Sequence, residues 1–212
     1  MMNILIVDDH AVVRKGIKQI LSEEAEVTTL GEASNSEELF SQLYEKNWDI
    51  VILDITLPGK NGLDILIELK RRKPDIKVLI LTMHPEEEIA IRALKTGASG
   101  YLNKDSVPGE LLSAVKKIFT GSKYISSSLG EKLALYLDKD VSKLAHELLS
   151  NREFQILCLI ASGNSLTDIA KELLISVKTV STYRTRILEK MNMKSNVELT
   201  HYAIKNKLVT SM

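Results

Sequence analysis

The sequence predicts an α/β domain, a doubly wound five-stranded parallel sheet with helices on both faces, joined to a small all-α domain. In the first 120 residues, short aliphatic runs alternate five times with amphipathic stretches of helical length. Runs such as ILIV and VLILT are apolar throughout, as expected of strands that are covered on both faces. From Ser150 onward the pattern is helical alone. The sequence therefore predicts an α/β domain in the first part of the chain and an all-α domain in the last part.

Each predicted strand is followed by a predicted helix. The strands are expected at Ile4–Val7, Val27–Glu32, Ile50–Leu53, Val78–Leu81 and Gly100–Leu102. The helices are expected at residues 11–22, 36–46, 62–72, 86–96 and 108–119. All four prolines of the chain lie at the joins between these segments, where the chain must change direction. The hydrophobic periodicity and the positions of the prolines therefore predict the same boundaries of strands and helices.

The remainder of the chain is interpreted as a linker and a helical domain. Residues 122–147 show some helical amphipathicity without a strand pattern, and we expect a partly helical linker between domains at 1–121 and 148–212. Four helices are expected in the second domain, each preceded by a serine suited to an N-cap. These serines are Ser150, Ser165, Ser176 and Ser195; the first two have an acidic residue three positions later, as in a capping box.

Composition and charge limit the class of protein. Of the 212 residues, 44% are hydrophobic and 26% are charged, which is typical of globular domains. No apolar run has the length of a membrane span, the N-terminus lacks a signal-peptide pattern, and the single cysteine, Cys158, excludes an internal disulfide. We therefore expect a cytoplasmic protein without a membrane partner.

The net charge of zero conceals an asymmetry between the two parts of the chain. Residues 1–120 contain 15 basic and 19 acidic side chains, whereas residues 150–212 contain 9 basic and 5 acidic side chains. An acidic front part joined to a basic tail indicates that the two parts have different partners. The tail is thus a candidate for binding nucleic acid.

Five polar residues follow the predicted strands at the edge where α/β sheets bind ligands. Asp8 and Asp9 end the first strand, Asp54 the third and Thr82 the fourth, and Lys104 follows the fifth. A lone aspartate after a strand is usually a turn residue or a helix cap, but five such residues at four strand ends are hard to attribute to chance. Mg²⁺ would allow the carboxylates to lie together. Asp54 is then the candidate nucleophile toward phosphorus, with Thr82 and Lys104 contacting phosphoryl oxygens.

The segments IVDDH, VILDITLPGKNG, LILTMH and GASGYLNKD resemble the receiver domain of bacterial two-component response regulators, over about residues 3–120. This resemblance implies a flavodoxin-like fold in which Asp54 accepts a phosphoryl group from a sensor histidine kinase. It also implies that Asp9, Asp54 and the backbone carbonyl of Thr56 bind Mg²⁺ directly, while Asp8 acts largely through water.

The same resemblance assigns roles to three further residues. Thr82 becomes the switch hydroxyl and Lys104 the lysine that pairs with the phosphoryl group. Tyr101 becomes the aromatic residue that moves inward on activation. A simple packing role for Tyr101 is an equal alternative.

The stretch SLTDIAKELLISVKTVSTYR predicts a short helix, a tight turn at Leu174–Ser176 and a longer second helix. In the second helix, an apolar stripe should face the core, and it consists of Val177, Val180, Ile187 and Met191. The opposite face is small, polar and basic, as expected of a helix that enters a major groove. The candidate DNA-binding residues are Lys178, Thr179, Ser181, Thr182, Arg184, Thr185 and Arg186.

This tail is similar to the LuxR-type helix-turn-helix of NarL/FixJ response regulators, from about Leu149 to Val209. The resemblance implies binding to double-stranded promoter DNA and a homodimer formed through the last helix. Lys178, Arg184 and Arg186 are candidates for phosphate contacts. Arg184 lies nearer the core-facing stripe, so the covering of apolar surface by its stem is the alternative.

The function predicted from these patterns is phosphorylation-dependent regulation of transcription, without turnover of a separate substrate. One alternative is a Mg²⁺-dependent phosphatase with Asp54 as nucleophile. Such an enzyme usually needs an acid two residues later, where this chain has Thr56. A second alternative keeps the receiver and lets the helical tail bind protein or RNA; the TVSTYR helix argues against it.

Overall fold

The computed structural model describes residues 1–83, 87–126, 129–131 and 144–209. The chain forms two compact units, Met1–Ala134 and Leu135–Met212. The start of the helix predicted at residue 86, and residues 127–128 and 132–143 of the predicted linker, lie outside the described residues.

The first unit contains a parallel sheet of five strands in the order β2-β1-β3-β4-β5, as the fold class predicts. Its strands are β1 (Met2–Val7), β2 (Val27–Ala33), β3 (Ile50–Asp54), β4 (Lys77–Thr82) and β5 (Gly100–Asn103). The helices that alternate with them are α1 (Ala11–Ser22), α2 (Ser36–Glu45), α3 (Gly62–Arg72), α4 (Glu87–Lys95) and α5 (Val107–Phe119). A 3₁₀ turn at Lys104–Ser106 separates β5 from α5.

The order of the strands decides which strand ends are neighbours. β1 pairs with both β2 and β3, so the direction of winding reverses between β1 and β3. Val7 lies opposite Leu53 in that pair, which brings the residues that follow them, Asp8 and Asp54, to the same edge. β3 is buried throughout and β1 is buried at every residue except Asn3, which explains their largely apolar sequences.

The chain after α5 returns to the sheet, a feature that the sequence pattern did not predict. Tyr124 forms a parallel bridge with Gly100, and its ring packs among buried core residues. A Cβ at Gly100 would lie 2.9 Å from the carbonyl oxygen of Tyr124 and 2.7 Å from Ile118. Glycine at position 100 is therefore required by the close approach of this returning segment.

The second unit contains a short 3₁₀ helix at Ala145–Leu148 followed by four α-helices. These are α6 (Asn151–Ala161), α7 (Leu166–Glu172), α8 (Val177–Met191) and α9 (Asn196–Lys205). The four predicted N-caps are confirmed, because each serine accepts a hydrogen bond from the backbone amide three residues later. The predicted capping box at Ser150 is complete, with Glu153 contacting the Ser150 amide in return.

The core-facing stripe of α8 is confirmed at three positions and wrong at the fourth. Val180, Ile187 and Met191 are buried, but Val177 is 45% exposed. Val177 is the first residue of the helix and lies about 40–80° around the axis from the other three. That angle is enough to turn its side chain toward solvent.

Candidate functional site

Three carboxylates and an imidazole meet at the carboxyl edge of the sheet. One ligand atom from each of Asp8, Asp9, His10 and Asp54 can be chosen so that all four lie within 4.8 Å of one another. Asp8 and Asp54 are each only 1% exposed, whereas Asp9 and His10 face solvent. The predicted convergence of the aspartates from two separate strands is therefore present.

Lys104 is the cation that faces the two buried carboxylates. Its Nζ lies 2.8 Å from Asp54 Oδ2, to which it donates a hydrogen bond, and forms an ion pair of 2.7 Å with Asp8 Oδ2. Burial raises the pKa of Asp54, and Asp8 raises it further, against the opposing effect of Lys104. Burial lowers the pKa of Lys104, but the two carboxylates outweigh it and the net shift is upward. Two carboxylates thus share one ammonium, and the site keeps a negative charge.

That residual charge is what a hard divalent cation would neutralise. Carboxylate oxygens are the ligands that Mg²⁺ prefers, so the donor set of Asp8, Asp9 and Asp54 fits the ion. Thr56 follows β3, and its backbone amide donates a 3.1 Å hydrogen bond to Asp54 Oδ1. This bond holds the loop after Asp54 close to the carboxylates.

Thr82 and Tyr101 complete the predicted set around the receiver site. Thr82 is fully buried at the end of β4, and its register partner on β5 is Asn103. Tyr101 is buried within β5. Tyr101 therefore lies inside the fold, the position that a packing role requires and that the switch role assigns to the activated protein.

Gly62 belongs to the LPGKNG segment after Asp54 and must lie close to the backbone of that strand end. A Cβ at Gly62 would lie 2.5 Å from Ile55 Cα and 2.7 Å from the carbonyl oxygen of Asp54. Only glycine allows α3 to begin against the backbone that carries Asp54. Asn61 caps the same helix by accepting from the Leu63 amide at 2.8 Å.

The exposed arc of α8 contains most of the predicted DNA-binding residues. Those that face solvent are Lys178, Ser181, Thr182, Thr185 and Arg186. Thr179 is half-buried, and its hydroxyl lies 2.7 Å from that of the N-cap Ser176. Arg184 is also half-buried, and its Nε donates a 2.5 Å hydrogen bond to Asn196 Oδ1 at the start of α9. Arg184 therefore joins two helices of this unit.

Comparison with known proteins identifies both parts of the chain. Residues 4–116 match the response regulator receiver domain, and residues 147–203 match the bacterial regulatory proteins of the luxR family. Response regulator UvrY of Escherichia coli (strain K12) is 36% identical over 209 residues, which are 98% of this chain and 96% of UvrY. The oxygen regulatory protein NreC of Staphylococcus epidermidis (strain ATCC 35984) is 38% identical over an alignment of 216 positions, which covers 98% of this chain and 99% of NreC.

The chain belongs to the NarL/FixJ-type response regulators. A solved structure of RcsB from Salmonella enterica serovar Typhimurium, bound to promoter rprA in the presence of the phosphomimetic BeF₃⁻, is similar to this response regulator with a TM-score of 0.66. It is 28% identical and covers 95% of this chain and 98% of RcsB. Members of the family are DNA-binding regulators and are in general not enzymes. Among the described residues of the response regulator, no helix has the length and apolar character of a membrane span.

Two residues of the receiver site were not among the predicted ones. Arg14 of the response regulator donates from Nη1 to the backbone carbonyl of Asp8 at 2.6 Å, and its Nε lies 3.5 Å from Glu32 Oε2. The backbone amide of His10 donates to Asp8 Oδ1 at 2.7 Å. The available signal was their closeness in the run DDHAVVR, where helix α1 places Arg14 one turn after His10.

The last helix of the response regulator packs an apolar side against other parts of its own unit. Leu199 and Ala203 are fully buried, and the hydroxyl of Tyr202 lies 2.9 Å from His146 Nδ1. The apolar residues that α9 exposes are Val197 and Ile204. The side of α9 that carries these two residues is the one where apolar surface of the helix stays exposed.

Proposed function

We propose that this response regulator accepts a phosphoryl group on Asp54 from a sensor histidine kinase, and that the modification controls binding of its helix-turn-helix to double-stranded promoter DNA. The observation that carries the proposal is the position of Asp54. It is buried at the reversal point of the sheet, beside one lysine and two further carboxylates. A buried carboxylate with this excess of negative charge is matched to a cation and an incoming phosphoryl group.

The chemistry is transfer of a phosphoryl group to a carboxylate. A carboxylate oxygen of Asp54 forms the new bond to phosphorus while the phosphorus–nitrogen bond of the donor's phosphohistidine breaks. The electron pair leaves with the imidazole, which takes a proton from solvent. Asp8, Asp9, Asp54 and the carbonyl of Thr56 would hold Mg²⁺, and the ion would neutralise the charge of the phosphoryl group. Lys104 and the hydroxyl of Thr82 contact the phosphoryl oxygens, and Tyr101 follows Thr82 as the site rearranges.

The DNA-binding part of the proposal rests on α8. Its exposed arc is small, polar and basic, and the similar protein RcsB is bound to a promoter in its solved structure. We assign Lys178 and Arg186 to phosphate contacts and Ser181, Thr182 and Thr185 to base edges. Homodimers form through α9, and the regulator works in the cytoplasm. The functional division is a receiver at 1–121, a linker at 122–147 and a DNA-binding domain at 148–212.

No separate substrate is turned over in this proposal. A phosphatase that recycles an aspartyl phosphate needs an acid to protonate the leaving group. The position two residues after Asp54 is Thr56, whose hydroxyl is not acidic enough for that role. The phosphoryl group therefore stays on Asp54 as a signal until it is hydrolysed.

Two measurements test the proposal together. Intact mass after incubation with Mg²⁺ and a small phosphodonor should show one added phosphoryl group in the wild type and none in Asp54→Ala. Capture of fragments from the source genome at fixed salt should enrich inverted-repeat sites more strongly with the phosphorylated protein. Equal enrichment by phosphorylated wild type and Asp54→Ala would refute phosphate control, and no enrichment by either would refute the DNA-binding role of α8.

A further inference from the structure

The two threonines on the exposed arc of α8 turn their hydroxyl groups back toward the helix. Thr182 Oγ1 donates a hydrogen bond to the backbone carbonyl of Lys178 at 3.0 Å, and Thr185 Oγ1 donates to the carbonyl of Ser181 at 3.2 Å. Threonines within helices form such bonds to the carbonyl four positions earlier. A carbonyl oxygen only accepts, so each bond uses the hydrogen of the hydroxyl. Each hydroxyl oxygen is thus left as an acceptor toward any other molecule.

The methyl groups are what these side chains offer besides an acceptor. Beyond Cβ, a threonine side chain consists of one hydroxyl and one methyl group, and both residues are exposed. Positions three apart are neighbours on a helix surface, at about 60° around the axis. Thr182 and Thr185 therefore form a small patch of two methyl groups and two acceptor oxygens. Lys178 precedes this patch by one helical turn, and Arg186 follows it directly.

The bases differ in how well their major-groove edges match such a patch. Guanine presents two acceptors, O6 and N7, which an oxygen without a free hydrogen leaves unpaired. Adenine presents its N6 amino group as a donor, and its partner thymine presents a C5 methyl group. Cytosine also presents an amino donor, but neither base of a G·C pair has the methyl group. An A·T pair is therefore the pair that supplies both a donor and an apolar contact.

We propose that Thr182 and Thr185 make the promoter site specific for A·T pairs, through contact of their methyl groups with thymine C5 methyl groups and acceptance from adenine N6. The inference rests on the proposed function, because it concerns the same helix in the major groove. Lys178 and Arg186 then supply attraction to phosphates, which does not depend on sequence. Sequence reading by this patch depends on methyl contacts rather than on hydrogen bonds that the hydroxyls donate.

Deoxyuridine is a probe that removes only the C5 methyl group of thymine. Full-length protein, phosphorylated with Mg²⁺ and a small phosphodonor, is first used to select duplexes from a random library at fixed salt. Each thymine of the selected site is then replaced by deoxyuridine, one position at a time. We expect the affinity to fall by about 4-fold at each contacted thymine, the effect of one buried methyl group.

Two substitutions at each threonine separate the methyl group from the hydroxyl. Thr182→Ser and Thr185→Ser keep the hydroxyl and remove the methyl group, so the preference for thymine over deoxyuridine should disappear at the position that each residue contacts. Thr182→Val and Thr185→Val are the matched controls, because they keep a methyl group in place and remove the hydroxyl. They should retain the preference. Thermal unfolding of each variant checks that the helical unit stays folded.

The possible outcomes distinguish this inference from the proposed function. Wild-type affinity that deoxyuridine leaves unchanged at every thymine would overturn the inference and leave DNA binding by α8 intact. A preference that is lost in the valine variants and kept in the serine variants would also overturn it, since the hydroxyls would then read the bases. Failure of the wild type to select any sequence would overturn both this inference and the DNA-binding part of the proposed function.

Discussion

The backbone amide of Tyr101 donates a hydrogen bond to the carbonyl oxygen of Tyr124 at 3.1 Å. The amide of Tyr124 in turn donates to the carbonyl of Ser99 at 2.9 Å. The residues that follow α5 therefore continue the sheet beside β5, the strand that carries the predicted switch residue Tyr101. A shift of β5 would be transmitted to this segment through two main-chain hydrogen bonds.

Tyr124→Phe should remove a tyrosine hydroxyl whose pKa is unusually high. The Tyr124 hydroxyl donates a 2.5 Å hydrogen bond to Glu110 Oε2. Burial, with added effect from that bond and the charge of Glu110, raises the pKa of Tyr124 to about 12. We expect the tyrosinate absorbance titration of the wild type to contain one component near that pH, and the variant to lack it. The control is Tyr44→Phe, whose ring is largely exposed and whose loss should leave this component in place.

The Tyr124 hydroxyl also makes the free energy of unfolding depend on pH in the alkaline range. Its pKa in the folded state lies above the ordinary value of 10.0, so the stabilisation is complete below pH 10. It is lost as the pH rises toward 12, because the unfolded chain ionises first. The free energy of unfolding should fall there by up to about 1.4 kcal/mol per pH unit more in the wild type than in Tyr124→Phe. Parallel pH profiles for the two proteins would contradict the assignment.

Asp54→Asn should stabilise the protein when divalent cations are absent. The change removes one of two buried carboxylates that share Lys104, and Lys104 keeps its ion pair with Asp8. We expect the free energy of unfolding, measured with urea in the presence of a chelator, to rise by about 1 kcal/mol or more. Asp9→Asn is the matched control, and because Asp9 is exposed the change should be under about 0.5 kcal/mol. A loss of stability in Asp54→Asn would show that the buried charge is already compensated.

Lys178 and Arg184 should respond differently to removal, although both are basic residues of α8. Lys178 is exposed, so Lys178→Ala should weaken DNA binding at all sequences and reduce the salt slope by about one unit. Arg184 is bonded to Asn196, so Arg184→Ala should lower the free energy of unfolding of the helical unit by about 1 kcal/mol. Titrations of DNA binding at several salt concentrations, together with thermal unfolding, separate the two effects. An unchanged melting temperature for Arg184→Ala, together with weaker DNA binding, would assign Arg184 to DNA instead.

Leu174→Asn should stabilise the turn between α7 and α8. Leu174 has a φ of +48°, a left-handed conformation that is unfavourable for leucine, and its side chain is 68% exposed. Asparagine tolerates this conformation, and little buried area is lost. We expect the free energy of unfolding to rise by about 0.5–1 kcal/mol. Leu148→Asn, another exposed leucine but without a positive φ, should give no such gain. Destabilisation by Leu174→Asn would mean that the leucine side chain contributes contacts of its own.

Local patterns were enough to predict the strands and helices of the fold. The predicted helices at 11–22 and 62–72 coincide with α1 and α3, and every predicted strand is present with at most two extra residues at an end. This is possible because hydrophobic periodicity, serine caps and turn residues act over a few positions of the chain. The position of Asp54 at the end of an apolar strand could likewise be predicted from the sequence.

Contacts between residues that are distant in the sequence could not be predicted from local patterns. Lys104 and Asp54 are 50 positions apart, and Arg184 finds Asn196 on another helix. Tyr124 lies in a stretch without a strand pattern, yet the exposed edge of β5 supplies the hydrogen bonds that hold it. Val177 fits the apolar pattern of α8 by residue type, but its angle around the helix turns it to solvent.

By itself, the sequence determined the order of strands and helices, the residues at each strand end and the polar arc of α8, because each depends on neighbours along the chain. The tertiary structure decided that Asp8 and Asp54 share Lys104, that His10 stands beside the carboxylates and that Arg14 holds the Asp8 backbone. These contacts arise from the pairing of β1 with β3 and from packing between distant segments. Such pairings minimise the free energy of the whole fold and leave no signature in any short stretch of residues.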